Sequence, residues 1–302
     1  MEEVNFRRPQ LEDQKLIRSY FEMAPSMSCE RSFVDVFLWA RHYQVTFAVI
    51  EDTLVFRDGG ANPGFAYPAG KKENVKKALE FLMKYSEEQG YPFKLYNITR
   101  ENFEQIEEWY PGEFQLEDDR DQADYVYETE KLATLAGKKL HAKRNHINKF
   151  QKQYPNWSYE TLSDANMEEC FQMALKWRNA NGCDDDPGKN AEMCVALNAL
   201  RLYKELDQVG GVLRVDGQVV AFTIGEKLCE NMFVVHIEKA YAEIDGAYPM
   251  INQQFVQHEC MDYQYINRED DAGSEGLRKA KLSYRPAFLV EKGNVTRTKE
   301  ME

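Results

Sequence analysis

The same order of predicted secondary structure occurs twice along this chain, once in each half. Each half is predicted to run as two helices, a hairpin, a strand, a helix, a second strand and a further helix. The clearest hairpin covers residues 210–226 and turns at Asp216-Gly217, a dipeptide that favours tight two-residue turns. A repeated order of this kind favours two mixed α/β layers of one plan. We therefore predict two domains, over residues 1–135 and 136–302.

Apolar spacing and turn residues set the expected bounds of these elements. In the first half we predict helices over residues 9–23, 28–41, 74–89 and 100–109, a hairpin over 44–56 and a strand over 93–97. In the second half we predict helices over residues 166–180, 191–206, 248–260 and 274–284, and strands over 231–238, 263–267 and 287–291. A basic helix over residues 137–154 joins the two halves.

Positive charge is concentrated in one segment of an otherwise acidic chain. The sequence holds 38 Lys and Arg against 51 Asp and Glu, a formal charge of −13. The segment 131–152 contains no acidic residue and seven basic ones, which are Lys131, Lys138, Lys139, Lys143, Arg144, Lys149 and Lys152. Such a segment attracts polyanions such as tRNA, whereas the acidic flanks repel them. The alternative is a linker helix whose charges simply face water.

Several classes of site are not predicted. The chain has no run of about 18 apolar residues, so no membrane-spanning helix is expected. The six cysteines include no CxxC pair, and we expect them to be reduced thiols in a cytoplasmic protein. The sequence also lacks the HExxH, GxSxG and phosphate-loop patterns, so no metal site is predicted and no cofactor is assigned.

Three stretches carry a resemblance to a known family. They are GKKLHAKRNHINKF at 137–150, INRED at 266–270 and EGLRKAKLSYRP at 275–286. Together they resemble the tandem-GNAT family of the phosphatidylglycerol lysyltransferase C-terminal domain, in a soluble bacterial branch of unknown function. The resemblance implies an α/β fold of two GNAT-like domains joined by the basic helix.

The resemblance also implies an activity. The family is related to the Fem-type aminoacyl transferases, whose members move an amino acid from aminoacyl-tRNA to an amine or hydroxyl acceptor. The lysyltransferases carry a long membrane-embedded part that this sequence does not show, which argues against a lipid acceptor. The acceptor, whether a small molecule, lipid or peptide, is left open, as is catalysis itself.

Coenzyme A is the less favoured donor. GNAT acetyltransferases hold its pyrophosphate with backbone N–H groups at a helix start rich in small residues. Here that helix start reads EIDGAY, which places the carboxylate of Glu243 and the bulky ring of Tyr248 where the pyrophosphate would lie. An acyl-CoA-dependent N-acyltransferase is therefore the alternative enzyme. A non-catalytic binding protein with a degenerate GNAT fold is the third hypothesis.

The basic helix supplies the first candidate substrate-binding residues. On a helical wheel Lys143 falls within the apolar stripe and Arg144 lies at its edge. Both are expected to meet a phosphate or carboxylate between the domains, and Asn145, His146 and Asn148 extend the polar surface. The alternative for the two cations is a set of salt bridges that fasten the helix to a domain.

Two ionisable side chains share one face of the strand over residues 231–238. His236 and Glu238 are two positions apart, and either is predicted to accept a proton from an attacking amine. The alternative is a hydrogen-bonded pair near the strand end.

A polar group follows the strand over residues 263–267, where ligands of α/β sheets commonly bind. Glu269 or Asp270 is predicted to hold the ammonium of an aminoacyl group, and Asn267 to orient its carbonyl. The alternative is capping of the next helix. On that helix Lys281 falls on the apolar face and is expected to hold a negative group, or to pair with a nearby carboxylate. Arg285 lies beyond the helix and is free to contact a ligand.

Overall fold

The structure is a computed structural model, and it describes residues 4–60 and 62–298. The chain divides into two compact units. The first unit contains the described residues up to Asp124, together with 270–274 and those from Val290 onward. The second unit contains residues 125–269 and 275–289. This division differs from the predicted one at residue 135, because residues 126–128 pair with a strand of the second unit and residues 292–297 pair with strands of the first.

Ten α-helices lie within the described residues. They are α1 (Gln14–Met23), α2 (Phe33–Trp39), α3 (Lys72–Gln89), α4 (Arg100–Trp109), α5 (Thr129–Thr134), α6 (His141–Gln153), α7 (Met167–Ala180), α8 (Pro187–Arg201), α9 (Ala247–Glu259) and α10 (Glu275–Leu282). The strands of the first half are β1 (Thr46–Ile50), β2 (Thr53–Arg57), β3 (Lys94–Thr99), β4 (Phe114–Asp118) and β5 (Asp124–Glu128). Those that follow are β6 (Trp157–Thr161), β7 (Val209–Val215), β8 (Gln218–Cys229), β9 (Met232–Ala240), β10 (Tyr265–Asn267), β11 (Phe288–Val290) and β12 (Lys292–Arg297).

Two small sheets belong to the first unit. Strands β1 and β2 form an antiparallel hairpin, and β12 lies between β3 and β4 in a three-stranded antiparallel sheet. The hairpin turns at Glu51 and Asp52, whose φ angles of 49° and 54° suit a tight two-residue turn. Helix α3 ends at Gly90, where a φ of 79° favours glycine. Both features were expected from the sequence.

The second unit is built on a seven-stranded sheet. Its strand order is β11-β5-β10-β9-β8-β7-β6. Helix α9 packs on this sheet through buried apolar side chains that include Met250, Ile251 and Phe255. The predicted hairpin at Asp216-Gly217 is present as β7 and β8. This sheet holds the central strands β9 and β10, on which the candidate site is built.

Helix α10 is more exposed than its pattern predicted. Leu277 lies four residues before Lys281, on the face that the spacing predicts to be apolar and buried, but 43% of its surface is exposed. Ala280 is exposed as well, and Lys281 is the buried residue of the helix. The spacing of apolar residues predicted which face of the helix is buried. In the structure the buried position is Lys281, whose ammonium donates hydrogen bonds to main-chain carbonyl oxygens.

Candidate active site

The central feature of the second unit is the place where β9 and β10 part. Their parallel register joins Tyr265 to Met232 and Asn267 to Val234. Strand β10 then ends, while β9 continues to Ala240. The side chains that follow Asn267 therefore lie along the remaining edge of β9. We call this region the β9–β10 opening, and it lies at the carboxyl end of a parallel strand pair, where α/β sheets commonly bind ligands.

His236 is held between two carboxylates at this opening. Its Nδ1 lies 2.6 Å from Glu269 Oε1, and its Nε2 lies 3.3 Å from Glu226 Oε1. Burial alone would lower the pKa of His236, but hydrogen bonds to Glu226 and Glu269 raise it to about 10. The ring is therefore an imidazolium at neutral pH, with both nitrogens donating. A protonated ring does not accept a proton, so this state disagrees with the predicted role of His236 as a proton acceptor, and the ring holds the two carboxylates in place.

The raised pKa of His236 predicts a pH-dependent stability. The pKa in the folded state is above that of a free histidine, so the protonated ring stabilises the fold fully below about pH 6.5. That contribution is lost as the pH rises toward about 10, at up to about 1.4 kcal/mol per pH unit. Urea unfolding at pH 6, 8 and 9.5 measures it. We expect the decline to be smaller in His236→Gln, and equal declines in both proteins would contradict the assignment.

A second polar pair lies farther along the same strand. Arg268 Nη2 donates to Glu238 Oε1 at 2.9 Å, and Asn252 Nδ2 donates to Glu238 Oε2 at 3.1 Å. The carboxylate can only accept, which fixes the orientation of the Asn252 amide. Two buried atoms of this group have no hydrogen-bond partner among the described residues, namely Arg268 Nη1 and Asn252 Oδ1. One unused donor and one unused acceptor therefore flank a single carboxylate.

The backbone at Glu269 is strained and firmly held. Its φ of 56° is unusual for a residue other than glycine. The Glu269 N–H donates to Asn267 Oδ1 at 2.7 Å, and the Glu269 carbonyl accepts from the Tyr125 N–H at 3.1 Å. Lys281 Nζ donates to the carbonyls of Arg268 at 2.6 Å and Glu269 at 3.2 Å. Strain of this kind persists where the surroundings over-determine the backbone, which is common at functional sites.

Two residues that were predicted to contact a substrate instead hold the backbone of the turn at Glu269. Asn267 is fully buried and caps the turn through Glu269, instead of orienting a substrate carbonyl. Lys281 binds main-chain carbonyl oxygens, so its ammonium is used to hold the turn instead of an external anion. Both assignments were made from sequence position, which does not show where a side chain finds its partner.

Lys143 is brought to the same region by α6. Its ammonium lies 4.0 Å from the ring centroid of Tyr284, and the guanidinium of Arg268 lies 4.9 Å from the same centroid. Burial lowers the pKa of Lys143, the nearby Arg268 lowers it further, and Glu238 opposes both. The lysine predicted within an apolar stripe therefore packs on an aromatic ring beside Glu238 and Arg268.

The other predicted residues lie outside this group. The Arg144 guanidinium donates to the carbonyl oxygens of Leu135 and Gly137, so it fastens a loop instead of meeting an anion. Asn145 pairs with His141 at 3.1 Å, His146 lies 3.9 Å from Asp245, and Asn148 is exposed. Arg285 is also exposed, at a φ of 60°. Asp270 belongs to the first unit, where it accepts from the Ala272 N–H at 2.8 Å.

Three residues of the site were not singled out from the sequence. Arg268 lies within the INRED stretch, between the predicted site residues Asn267 and Glu269. This position is the sequence feature that could have indicated its role. Asn252 is a polar residue on an otherwise apolar helix face, and it is 1% exposed. Glu226 lies on the long strand β8, also buried. Buried polar residues of this type need partners, but the sequence does not say which ones.

The start of α9 is covered by α6. Gly246 begins the helix with a φ of 86°, and a Cβ placed there would lie 2.9 Å from the His146 carbonyl oxygen and 2.9 Å from Phe150 Cβ. The backbones of the two helices therefore approach closely at this position.

A buried charged cluster lies within the first unit. Lys292 Nζ donates to Asp124 Oδ1 at 2.8 Å and to Glu30 Oε1 at 2.7 Å, and it lies 3.8 Å from Cys29 Sγ. The side chains of Lys292 and Asp124 are completely buried. Burial would lower the pKa of Lys292, but Asp124, Cys29 and Glu30 raise it well above its usual value. Cys29, Glu30 and Asp124 place sulfur and oxygen atoms of the kind that bind metal ions within 4.8 Å of one another. The Lys292 ammonium supplies the positive charge among these atoms.

No helix among the described residues is both long enough and apolar enough to cross a membrane.

Comparison with known proteins gives one family and several relatives. Residues 21–292 match the family described as phosphatidylglycerol lysyltransferase, C-terminal. A conserved protein of unknown function from Bacteroides thetaiotaomicron is 36% identical, with a TM-score of 0.92 over 98% of this chain and 100% of that one. L-PGS from Bacillus licheniformis is 15% identical, with a TM-score of 0.65 over 95% of this chain and 92% of that one. An uncharacterized protein of Mycoplasmoides gallisepticum is 28% identical over 194 residues, which are 61% of this chain and 60% of the relative.

Proposed function

Because the chain belongs to the phosphatidylglycerol lysyltransferase C-terminal family, a family of the acyl- and aminoacyl-transferase kind, we propose that it transfers an aminoacyl group from aminoacyl-tRNA to an amine or hydroxyl acceptor. The mixed α/β fold predicted from the sequence is confirmed by the match to the family and to L-PGS. The observation that carries the proposal is the unpartnered pair at the β9–β10 opening, Arg268 Nη1 and Asn252 Oδ1, on the two sides of the Glu238 carboxylate.

The chemistry requires one bond to form and one to break. The acceptor nitrogen or oxygen attacks the ester carbonyl carbon, and the bond from that carbon to the ribose oxygen of the tRNA breaks. Negative charge develops on the carbonyl oxygen, where Arg268 Nη1 is suited to donate a hydrogen bond. Asn252 Oδ1 is suited to accept one from the α-ammonium of the aminoacyl group. Glu238 then acts as a positioning residue, since it holds both.

Glu269 is the group we assign to proton transfer. Its Oε1 is engaged by His236 at 2.6 Å, while its Oε2 has no hydrogen-bond partner among the described residues. The side chain is 22% exposed, so it can be reached from outside. Glu269 would take the proton of the attacking group and return it to the departing ribose oxygen. The imidazolium of His236 keeps this carboxylate in place during the exchange.

The basic segment supports tRNA as the donor. Four of its seven cations are engaged: Lys131 by Glu128 at 2.7 Å, Lys149 by Asp245 at 2.5 Å, Arg144 by carbonyl oxygens and Lys143 by Tyr284. Lys138, Lys139 and Lys152 are exposed and have no side-chain partner within the described ranges. Exposed cations of this kind contact phosphates and make binding salt-dependent. Aminoacyl-tRNA is a cytoplasmic donor, so the proposal places the protein in the cytoplasm.

Charge reversal in this segment tests the donor. In Lys138→Glu/Lys139→Glu, two phosphate contacts become repulsive, so we expect affinity for charged tRNA to fall at least ten-fold and the salt dependence to weaken. Gel shifts at 50 and 150 mM salt measure both quantities. The matched control is Lys15→Glu/Lys77→Glu, which makes the same change of charge at exposed lysines of the first unit. Equal losses in the two variants would show a net-charge effect and contradict a tRNA site on this segment.

The transfer itself is tested with the intact protein. Charged tRNA is incubated with the protein and with amine or hydroxyl acceptors, and loss of the aminoacyl ester above spontaneous hydrolysis is measured. A labelled product that depends on both protein and acceptor supports the proposal. Thermal stabilisation by coenzyme A, with no response to charged tRNA, would favour the acyl-CoA alternative instead. Response to neither donor would favour the binding-protein hypothesis.

A further inference from the structure

The first unit contains a pocket of its own, made entirely from residues of that unit. Its volume is about 40 Å³, and it is open to solvent on one side. Phe21, Phe56, Tyr67 and Tyr96 form aromatic walls. A cavity needs roughly 10–15 Å³ to admit one water molecule, so this pocket takes a ligand of only a few heavy atoms. Neither the basic segment nor the β9–β10 opening contributes a residue to it.

Arg31 is the cation of this pocket. Its Nη2 donates to the Tyr67 carbonyl oxygen at 2.9 Å, and its guanidinium carbon lies 5.6 Å from the ring centroid of Phe21. Within the described ranges no carboxylate pairs with it, which leaves most of its N–H donors unused. Burial lowers the pKa of Arg31 to about 10, although Tyr67 and Glu30 act in the opposite direction. A desolvated guanidinium with free donors is suited to a carboxylate.

Glu30 supplies the opposite charge in the same pocket. Its Oε1 accepts from Asn97 Nδ2 at 2.9 Å and from Lys292 Nζ at 2.7 Å, and its Oε2 accepts from the Ser28 hydroxyl. These donors hold the side chain in place. Each carboxylate oxygen has two lone pairs, so Oε2 can accept one further hydrogen bond. The pocket therefore presents a fixed anion and a fixed cation from neighbouring residues.

Two other polar groups of the lining have no partner of their own. The Tyr96 hydroxyl and the Asn102 side-chain amide line the pocket, and neither forms a side-chain hydrogen bond to any other described residue. Asn97 holds a φ of 53°, which is a strained conformation at a residue whose side chain lines the same space. Convergent polar groups within aromatic walls are typical of sites for small ligands.

We propose that this pocket binds a small amino acid as a zwitterion, with its carboxylate on Arg31 and its ammonium on Glu30. Opposite charges held side by side match a zwitterion, whereas a simple carboxylate would leave Glu30 facing a second anion. The volume restricts the ligand to the size of glycine, alanine or serine. The proposal concerns the first unit and does not depend on transfer by the second.

Calorimetric titration of the intact protein tests it. Glycine, L-alanine and L-serine are compared with propionate, which lacks the ammonium, and with ethylamine, which lacks the carboxylate. We expect saturable binding of at least one amino acid, at least ten-fold tighter than propionate or ethylamine. Binding of propionate as tightly as alanine would overturn the zwitterion assignment, and no saturable binding of any amino acid up to 20 mM would overturn the site.

Variants place the binding in this pocket. Arg31→Gln is expected to lower amino-acid affinity at least ten-fold, and Glu30→Gln to remove the preference for alanine over propionate, which a merely structural role would not do. Arg57→Gln is the matched control, since Arg57 is a half-buried arginine of β2 that bonds to Tyr85 at 3.2 Å away from the pocket lining. If Arg31→Gln does not fold, Tyr96→Phe removes one oxygen only and is expected to weaken binding several-fold. Unchanged amino-acid affinity in a folded Arg31→Gln protein would contradict binding in this pocket. If Arg31→Gln does not fold, unchanged affinity in Tyr96→Phe would contradict it.

Discussion

Replacing Lys292 with methionine is expected to lower the free energy of unfolding by about 3–5 kcal/mol, the range seen when one partner of a buried ion pair is removed. Lys292 and Asp124 are fully buried, and the ammonium lies 2.8 Å from Asp124 and 2.7 Å from Glu30. Methionine fills a similar volume, so the change removes charge and not packing. Two carboxylates then lack the cation that compensates them, and one of them is completely buried.

The measurement is urea unfolding at pH 7, followed by circular dichroism. Lys292→Met/Asp124→Asn is expected to recover part of the loss, because it removes one of the two uncompensated charges. Lys77→Met, at an exposed lysine of α3, is the control and should change stability by less than about 0.5 kcal/mol. If Lys292→Met unfolds like the unchanged protein, the cluster does not contribute to stability in the way its contacts indicate.

Replacing Arg268 with glutamine is expected to lower the rate of aminoacyl transfer by about 10²–10³-fold, the cost of losing one donor to a developing oxyanion. The reason is the unpartnered Nη1 atom beside the reacting group in the proposed chemistry. The loss should lie in kcat rather than in KM, because the interaction forms in the transition state. Arg268→Lys should not restore the rate, since lysine lacks the forked guanidinium that serves Glu238 and the substrate together.

Controls separate chemistry from folding in this case. Arg201→Gln removes an exposed arginine of the same unit and should leave transfer unchanged. Glu238→Gln combined with Arg268→Gln should cost little more than Arg268→Gln alone, because the two residues act as one group. Full activity in a folded Arg268→Gln protein would remove Arg268 from the mechanism.

Local signals in the sequence predicted much of the fold. The Asp216-Gly217 turn, the Gly90 helix end and the bounds of α4 depend on neighbouring residues only, and all were predicted correctly. Four strands were missed, namely β4, β5, β6 and β12. Strand β12 is a polar run, KGNVTR, with little apolar alternation to mark it, and the other three are only five residues long. They become strands because partners that are distant in sequence complete their hydrogen bonds.

The sequence indicated which region of the fold several site residues occupy, but not which contacts each of them makes. Glu238, Glu269, His236 and Lys143 do lie around the β9–β10 opening, as their placement on strands and helices suggested. The hydrogen-bond partners were not predictable from the sequence. Glu226 on β8 reaches His236, and Asn252 on α9 reaches Glu238, only once the sheet and helix are packed. The imidazolium state of His236 follows from two carboxylates that are 33 residues and 10 residues away in sequence.

The position of β12 has a consequence for synthesis on the ribosome. This strand lies between β3 and β4, and it carries Lys292 into the charged cluster of the first unit. The first unit is therefore translated early, yet it lacks a central strand and a buried cation until the whole second unit has been made. Nascent chains that stall before residue 292 has left the ribosome should hold an unfinished first unit, because β12 and Lys292 have not yet reached it. Chaperone capture of such stalled chains would then concentrate on the part of the protein that was made first.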